Sequence, residues 1–327
     1  MMKKLADKIL EGDVLATAKL MTDIEDGVPS AVEELKNVYP YTGKAYIVGV
    51  TGAIGVGKST LIDALIGVLR RENMTIGVIA IDPTSPLTGG AILGDRVRMQ
   101  KHSLDNDVFI RSVATRGWSG GLSKATISMI HVMDAMGKDI ILVETVGAGQ
   151  TETAISKVAD TSIVVLTQDM GDEIQMMKAG IMEVSDIFVI NKADREMTLD
   201  LKFKLEFMLR IKTYPSEWKP SIVLTEAIYD KGIEELVEAI FRHRESLISS
   251  GRLRMRRKER ARLELAGAIE SSLKDYIYQR INKGDFEKVV DDLVDRKTNP
   301  YSAALKIINS LSLGVMMGGA STGRGDV

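Results

Sequence analysis

The stretch YIVGVTGAIGVGKSTLIDALIG, residues 46–67, contains a change of rhythm. A run of apolar β-formers enters a glycine-rich turn, and the turn opens onto an amphipathic segment that begins at Lys58-Ser59-Thr60. Inside it, Gly52-Ala53-Ile54-Gly55-Val56-Gly57-Lys58-Ser59 satisfies the spacing G-x-x-x-x-G-K-[ST]. Glycines there let the backbone curl until successive N–H groups point at one anion, and the following helix adds the positive end of its dipole. A lysine at position 58 is suited to the β- and γ-phosphates of a nucleotide, and the hydroxyl of Ser59 to Mg²⁺.

Working outward, six more β-rich apolar runs follow: TIGVIAID (75–82), VFIRSVAT (108–115), DIILVETVG (139–147), TSIVVLTQD (161–169), DIFVINKAD (186–194) and SIVLTEA (221–227). Segments long enough for crossover helices separate them. Continuous apolar strands alternating with helices predict an α/β fold, a P-loop NTPase with a mainly parallel sheet covered on both faces. The chemistry-bearing residues fall just after the strands, where an open parallel sheet places its ligand crevice.

Residues 1–43 read as an N-terminal helical extension, 44–248 as the nucleotide-binding domain, 249–315 as a C-terminal helical region and 316–327 as a disordered tail. The segment 251–281 reads as one long helix with a basic start: Arg252, Arg254, Arg256, Arg257, Lys258 and Arg260 against Glu259. We read those charges as a solvated helix face, with an acidic partner or a second subunit as the competing reading.

Composition excludes several classes. The 327 residues carry no cysteine, so disulfides, thiolate metal sites and cysteine nucleophiles are absent together. The three histidines, His102, His131 and His243, lack metal-ligand spacing. A formal net charge of −2, with no aromatics interleaved among the basic residues, argues against nucleic acid. No run approaches a membrane span, and MMKKLADKILEGD lacks the apolar core of a signal peptide, so a cytoplasmic protein without membrane insertion is expected.

Asn191-Lys192-Ala193-Asp194 ends the strand DIFVI. Guanine presents two adjacent donors, N1–H and the 2-amino group, which one carboxylate such as Asp194 accepts as a fork. Adenine offers neither and would leave the acid unpaired. The methylene stem of Lys192 suits the flat face of the base. A second base-side loop follows at Thr225-Glu226-Ala227. GTP and GDP are therefore expected over adenine nucleotides.

Carboxylates close two strands, Asp82 and Glu144, and a third, Asp95, lies in TGGAILGDRVRM. With Ser59 and the phosphates, one or more of these acids would complete a Mg²⁺ site, directly or through water. Glu144 follows four apolar residues, a costly place for a lone charge. Gly147, three residues on, has the spacing for a backbone N–H to meet the γ-phosphate. Lys58, Asp95, Glu144 and Gly147 are the candidate hydrolytic residues. Gln150 is a weaker candidate for orienting water, and Arg96 and Arg98 for an arginine finger.

The chain resembles the MeaB/ArgK family of P-loop GTPases, which includes the methylmalonyl-CoA mutase-associated chaperones. The resemblance rests on six stretches in order: YPYTGKAYIVGVTG, IDPTSPLTGGAILGDRVRM, RSVATRGWSGGLSKAT, ETVGAGQTE, QDMGDEIQMMKAGIMEVSDIFVINKAD and NPYSAA. It implies that Asp82, Asp95 and Glu144 join Ser59 at Mg²⁺, that Gly89 to Arg98 form a switch, and that Gly171 to Lys178 form a further switch facing a client. It also implies a homodimer through the C-terminal helices. The implied activity is GTP hydrolysis that gates adenosylcobalamin loading or protection of a cobalamin-dependent acyl-CoA mutase, with methylmalonyl-CoA mutase the expected partner. The chain departs from relatives in GAIGVGKS for the common GPPGAGKS, in Ala91 for serine, and in Glu226 for the serine of the second base loop. Three other functions compete. A kinase or ATPase linked to lysine, arginine or ornithine transport would need an acceptor site, for which no dedicated domain is evident. A metal-insertion GTPase would need the soft or imidazole ligands that this composition denies. A protein-targeting GTPase would want a methionine-rich helical domain, whereas the seventeen methionines are spread along the chain.

Overall fold

The computed structural model describes residues 4–82, 100–102, 104–114, 124–147, 154–168, 181–195, 197–211, 218–281 and 283–318. They divide into two compact units, Met1–Arg260 and Ala261–Val327.

In the first unit, seven strands form one sheet: β1 (Tyr46–Thr51), β2 (Ile76–Asp82), β3 (Val108–Ala114), β4 (Ile140–Glu144), β5 (Thr161–Leu166), β6 (Ile187–Asn191) and β7 (Ser221–Thr225). Their order is β3-β2-β4-β1-β5-β6-β7, and every pairing is parallel. From β1 the chain crosses toward β2 on one side, and after β4 it returns past β1 to β5 on the other. That reversal opens a crevice at the carboxyl end of β1, immediately before the glycine-rich loop.

Both faces of the sheet are covered, so the strands read as unbroken apolar runs. Alternation assigns each residue its side. Tyr46, Val48, Val50, Ile140 and Leu142 join one core cluster with α4 (Lys58–Arg71) and α8 (Ile233–Ser249). Ile47, Ile141 and Val143 join a second, with the N-terminal helices α1 (Leu5–Leu10), α2 (Val14–Glu25) and α3 (Pro29–Val38) and with α5 (Lys124–Ala135). The short α6 (Ile181–Val184) precedes β6, and α7 (Thr198–Ile211) packs Leu201 and Leu205 against Phe188 and Ile190. Within α5, the buried Asp134 carboxylate accepts the backbone N–H groups of Gly43, Lys44 and Ala45 at 2.6, 3.1 and 3.0 Å. It thereby fixes the chain's entry into β1. Charge-assisted bonds of this kind are about twice as strong as neutral ones.

The long helix predicted over 251–281 is α9 (Arg252–Arg280). Its basic start is a solvated face only in part: Arg254 and Lys258 are exposed, while three other arginines turn inward. Arg256 makes two bonds to the Asp186 carboxylate, at 2.7 and 2.8 Å, and Arg257 and Arg260 both turn to Asp160. Asp160 and Asp186 cap the amino ends of β5 and β6 and also accept the backbone N–H groups of Ile47 and Ser162. The acids that meet these three arginines lie in the same chain, far away in sequence. The second unit contains the remainder of α9, α10 (Lys283–Val294) and α11 (Pro300–Gly318).

Candidate functional site

The glycine-rich loop, residues 52–57, links β1 to α4, and Gly57 sits at the helix N-cap with φ +95°. A Cβ there would lie 2.5 Å from Nδ2 of Asn191, so glycine is required both by conformation and by space. Ser59 and Lys58 begin the helix and are buried. The Lys58 ammonium donates to the carbonyl of Ala53 at 3.1 Å, which folds the side chain back over the loop it would share with phosphate.

Glu144 ends β4 and pairs across the sheet with Val50 of β1 and Ala80 of β2. It is 4% exposed, and Oε1 accepts the Ser59 hydroxyl at 2.8 Å. Asp82 ends β2, equally buried. A serine hydroxyl with one or two carboxylates beside a phosphate cradle is a hard-oxygen donor set that fits Mg²⁺, which keeps several waters and takes its remaining ligands from the nucleotide. Among the described residues no group of three or more His, Cys, Asp or Glu is poised to hold a metal. The third expected acid, Asp95, lies outside the described residues, as do Gln150, Arg96, Arg98 and the segments Gly89 to Arg98 and Gly171 to Lys178.

Gly147 has φ +82°, and a Cβ on it would stand 2.4 Å from the Gly52 carbonyl oxygen and 2.6 Å from the Lys58 ammonium nitrogen. The backbone after β4 therefore presses directly against the phosphate loop.

Asn191 connects the base side to the phosphate side. Its amide nitrogen donates to the Val56 carbonyl at 2.9 Å, and its Oδ1 accepts the Thr225 hydroxyl at 3.0 Å and the Ala227 N–H at 3.1 Å. Lys192, at φ +59°, donates to the Gly55 carbonyl at 3.0 Å. Asp194 is exposed at the rim. The two loops expected to meet the base, 191–194 and 225–227, are thus joined to each other and to residues 55–56. This knot was not visible in the sequence, where its bonded partners lie up to 137 residues apart. Reading from sequence also missed Gln168, whose side-chain amide donates to the Arg195 carbonyl at 3.0 Å and to the Thr198 hydroxyl, tying the end of β5 to the start of α7.

The family profile described as methylmalonyl Co-A mutase-associated GTPase MeaB matches residues 17–282. The chain belongs to the MeaB family of P-loop GTPases. The GTPase ArgK of Escherichia coli is 34% identical over 279 residues, covering 83% of this chain and 84% of its own. The mitochondrial methylmalonic aciduria type A homolog of Caenorhabditis elegans is 31% identical over 277 residues, covering 79% of this chain and 69% of its own. Among solved structures, that of a LAO/AO transport system kinase covers 95% of this chain and 99% of its own at TM-score 0.69 and 25% identity. Membership in the MeaB family agrees with the resemblance carried by the six sequence stretches. The parallel seven-stranded sheet is the α/β P-loop architecture expected from residues 46–67. No described helix is long and apolar enough to cross a membrane.

Proposed function

We propose that this MeaB-family protein binds GTP, hydrolyses it to GDP and phosphate with Mg²⁺, and uses the cycle as a cytoplasmic chaperone for a cobalamin-dependent acyl-CoA mutase. The observation that supports the nucleotide part is the Asn191 knot, which ties the loop bearing Asp194, the proposed guanine reader, to the glycine-rich loop at Val56. In this reading the amides of Gly52 to Thr60 hold the phosphates and Lys58 neutralises the β–γ region. Ser59, Asp82 and Glu144, with Asp95, would hold Mg²⁺, which when bound supplies charge neutralisation on the phosphate oxygens. Asp194 accepts N1–H and the 2-amino group of guanine, Lys192 lies along the base, and Thr225, Glu226 and Ala227 back the reading loop through Asn191. In hydrolysis a water oxygen bonds to the γ-phosphorus as the bond to the β–γ bridging oxygen breaks. GDP leaves with that electron pair, and the water proton ends on inorganic phosphate. In this reading the Gly147 N–H would stabilise the γ-phosphate oxygens through this change.

The mutase part draws its support from the names of the family and of the nematode relative. A homodimer is supported by the second unit. There Leu265, Ile269, Leu273 and Tyr276 follow one helical stripe of α9 and stand 62, 51, 56 and 38% exposed, a face that a second copy of the same stripe would cover.

Co-purification from native lysate, with a non-hydrolysable GTP analogue and then with GDP, tests the chaperone reading. A cobalamin-dependent mutase captured in one nucleotide state more than the other is expected; equal absence in both states overturns it. In parallel, γ-labelled GTP should release free phosphate. Label retained on a protein or small molecule would favour a kinase, the activity named for the structural relative.

A further inference from the structure

Beyond the second base loop the chain makes a closed turn, residues 226–231. The Glu226 N–H donates to the Lys231 carbonyl at 3.1 Å, and the Lys231 N–H returns to the Glu226 carbonyl at 3.4 Å. Inside the turn, the Tyr229 N–H donates to the Glu226 carbonyl, Asp230 takes φ +55°, and Gly232 takes φ +73° at the start of α8. The side chains repeat the closure: the Lys231 ammonium lies 2.9 Å from Oε2 of Glu226. The two partners are unequally solvated. Lys231 is 66% exposed at its side chain, Glu226 only 19%.

This asymmetry decides what the pair does. An ion pair between two exposed groups is worth little. A carboxylate four-fifths covered is different, because without its cation it would be a poorly solvated charge. Asp194 shares the same cation: its field, after the larger effect of Glu226, helps hold the Lys231 ammonium above its ordinary range. Glu226 immediately precedes Ala227, whose N–H is held by Asn191, which in turn holds the phosphate loop at Val56. Anything that displaces Glu226 from the cation it shares with Asp194 therefore pulls on the knot that joins the two proposed halves of the site.

We propose that Lys231 is a positioning residue for guanine recognition: by neutralising Glu226 it keeps two acidic loops, 191–194 and 225–227, closed around one base. The proposal rests on the guanine-binding reading and adds a residue to it. It applies to a chain with an acid at position 226; where that residue is neutral, no cation at 231 is needed.

The experiment measures release of fluorescently labelled GDP from the full-length protein, with the GDP-to-ADP affinity ratio alongside. Lys231→Met should release GDP 3- to 10-fold faster and narrow the ratio. Lys231→Arg should remain within about twofold of the parent. The double variant Glu226→Gln/Lys231→Met should recover most of the loss, since the uncompensated charge is gone. Raising salt should speed release from the parent more than from the double variant. Thermal melting of each variant reports folding separately, and the recovery in the double variant is a result that simple loss of packing at Lys231 does not produce. Release from Lys231→Met within twofold of the parent, or no recovery in the double variant, overturns the proposal while leaving guanine binding intact. A parent protein that binds ADP as tightly as GDP overturns both.

Discussion

The amide nitrogen of Asn191 donates to the carbonyl oxygen of Val56 at 2.9 Å, so the end of β6 is fastened to the phosphate loop after β1. On its other side, at the adjacent strand β7, the same side chain accepts from Thr225 and Ala227. One buried amide thus joins the two halves of the proposed nucleotide site. Replacing it with alanine leaves a carbonyl, a hydroxyl and a backbone N–H without that partner, at about 1–3 kcal/mol each where water cannot enter. Asn191→Ala should weaken GDP binding by about 10- to 100-fold in calorimetry, whereas Asp194→Asn should chiefly abolish the preference for guanine over adenine. Unchanged GDP affinity in the first variant would remove the knot from the account.

Gly147 offers a test of the hydrolytic arrangement. A methyl group there meets the Gly52 carbonyl and the Lys58 ammonium inside van der Waals distance, at a φ that alanine adopts poorly. Gly147→Ala should reduce phosphate release at saturating GTP by more than about tenfold, with a smaller effect on GDP binding, because GDP lacks the γ-phosphate. Equal losses for both would show that the residue only shapes the loop.

His243 predicts a pH dependence of stability. It is fully buried in α8, Nδ1 faces the Thr161 hydroxyl at 2.8 Å, and the Tyr46 hydroxyl lies 2.6 Å from that same Thr161 oxygen. Burial pushes the imidazole down to about 4; Asp186 opposes the shift and Arg256 and Arg252 add to it. The folded state therefore binds this proton less readily than the unfolded state. Stability from this source is present above pH 6.5 and is lost as the pH falls from there toward about 4, by up to roughly 3 kcal/mol. Chemical denaturation of the parent and of His243→Gln between pH 7 and 5 should show a steeper fall for the parent. Parallel curves would rule the histidine out as a source.

The start of α9 is the next test. Burial works against the charge of Arg256, and the Asp186 carboxylate more than offsets it, holding the guanidinium above its ordinary range. Arg256→Ala leaves Asp186 buried without its bidentate partner. Complete burial would put the loss near 3–5 kcal/mol; the partial exposure of Arg256 lowers the expectation to about 2–3 kcal/mol. Urea denaturation followed by far-ultraviolet circular dichroism measures it. A variant as stable as the parent would make the contact incidental.

The stripe on α9 gives an oligomerisation test. Ile269→Asp with Leu273→Asp should shift the protein toward monomer in sedimentation velocity without lowering the melting temperature of the first unit. A parent that is already monomeric at micromolar concentration would overturn the dimer.

Much of the site was legible in the sequence because its parts are local. Gly52 to Ser59 needs only a strand, a curl and a helix in succession, and all three are written in adjacent residues. The alternation of apolar runs with helical spacing likewise announced a parallel sheet, since only strands buried on both faces can omit polar positions. Asp194 is a local candidate of the same kind, because guanine's paired donors call for one carboxylate after a strand.

Other features depended on which distant residues the fold brings together. Nothing near Arg256 in the chain shows that Asp186 meets it, so local sequence does not separate the three arginines that turn inward from the exposed Arg254 and Lys258. Nothing near Asn191 names Val56, and nothing near Glu226 shows that its carboxylate would be covered while Lys231 stayed in water. Local chemistry determined which groups can grip a phosphate or read a purine. The parallel order β3-β2-β4-β1-β5-β6-β7 decided which of them share an edge, because contacts between strands are set by the sheet's hydrogen-bonded register and not by separation along the chain.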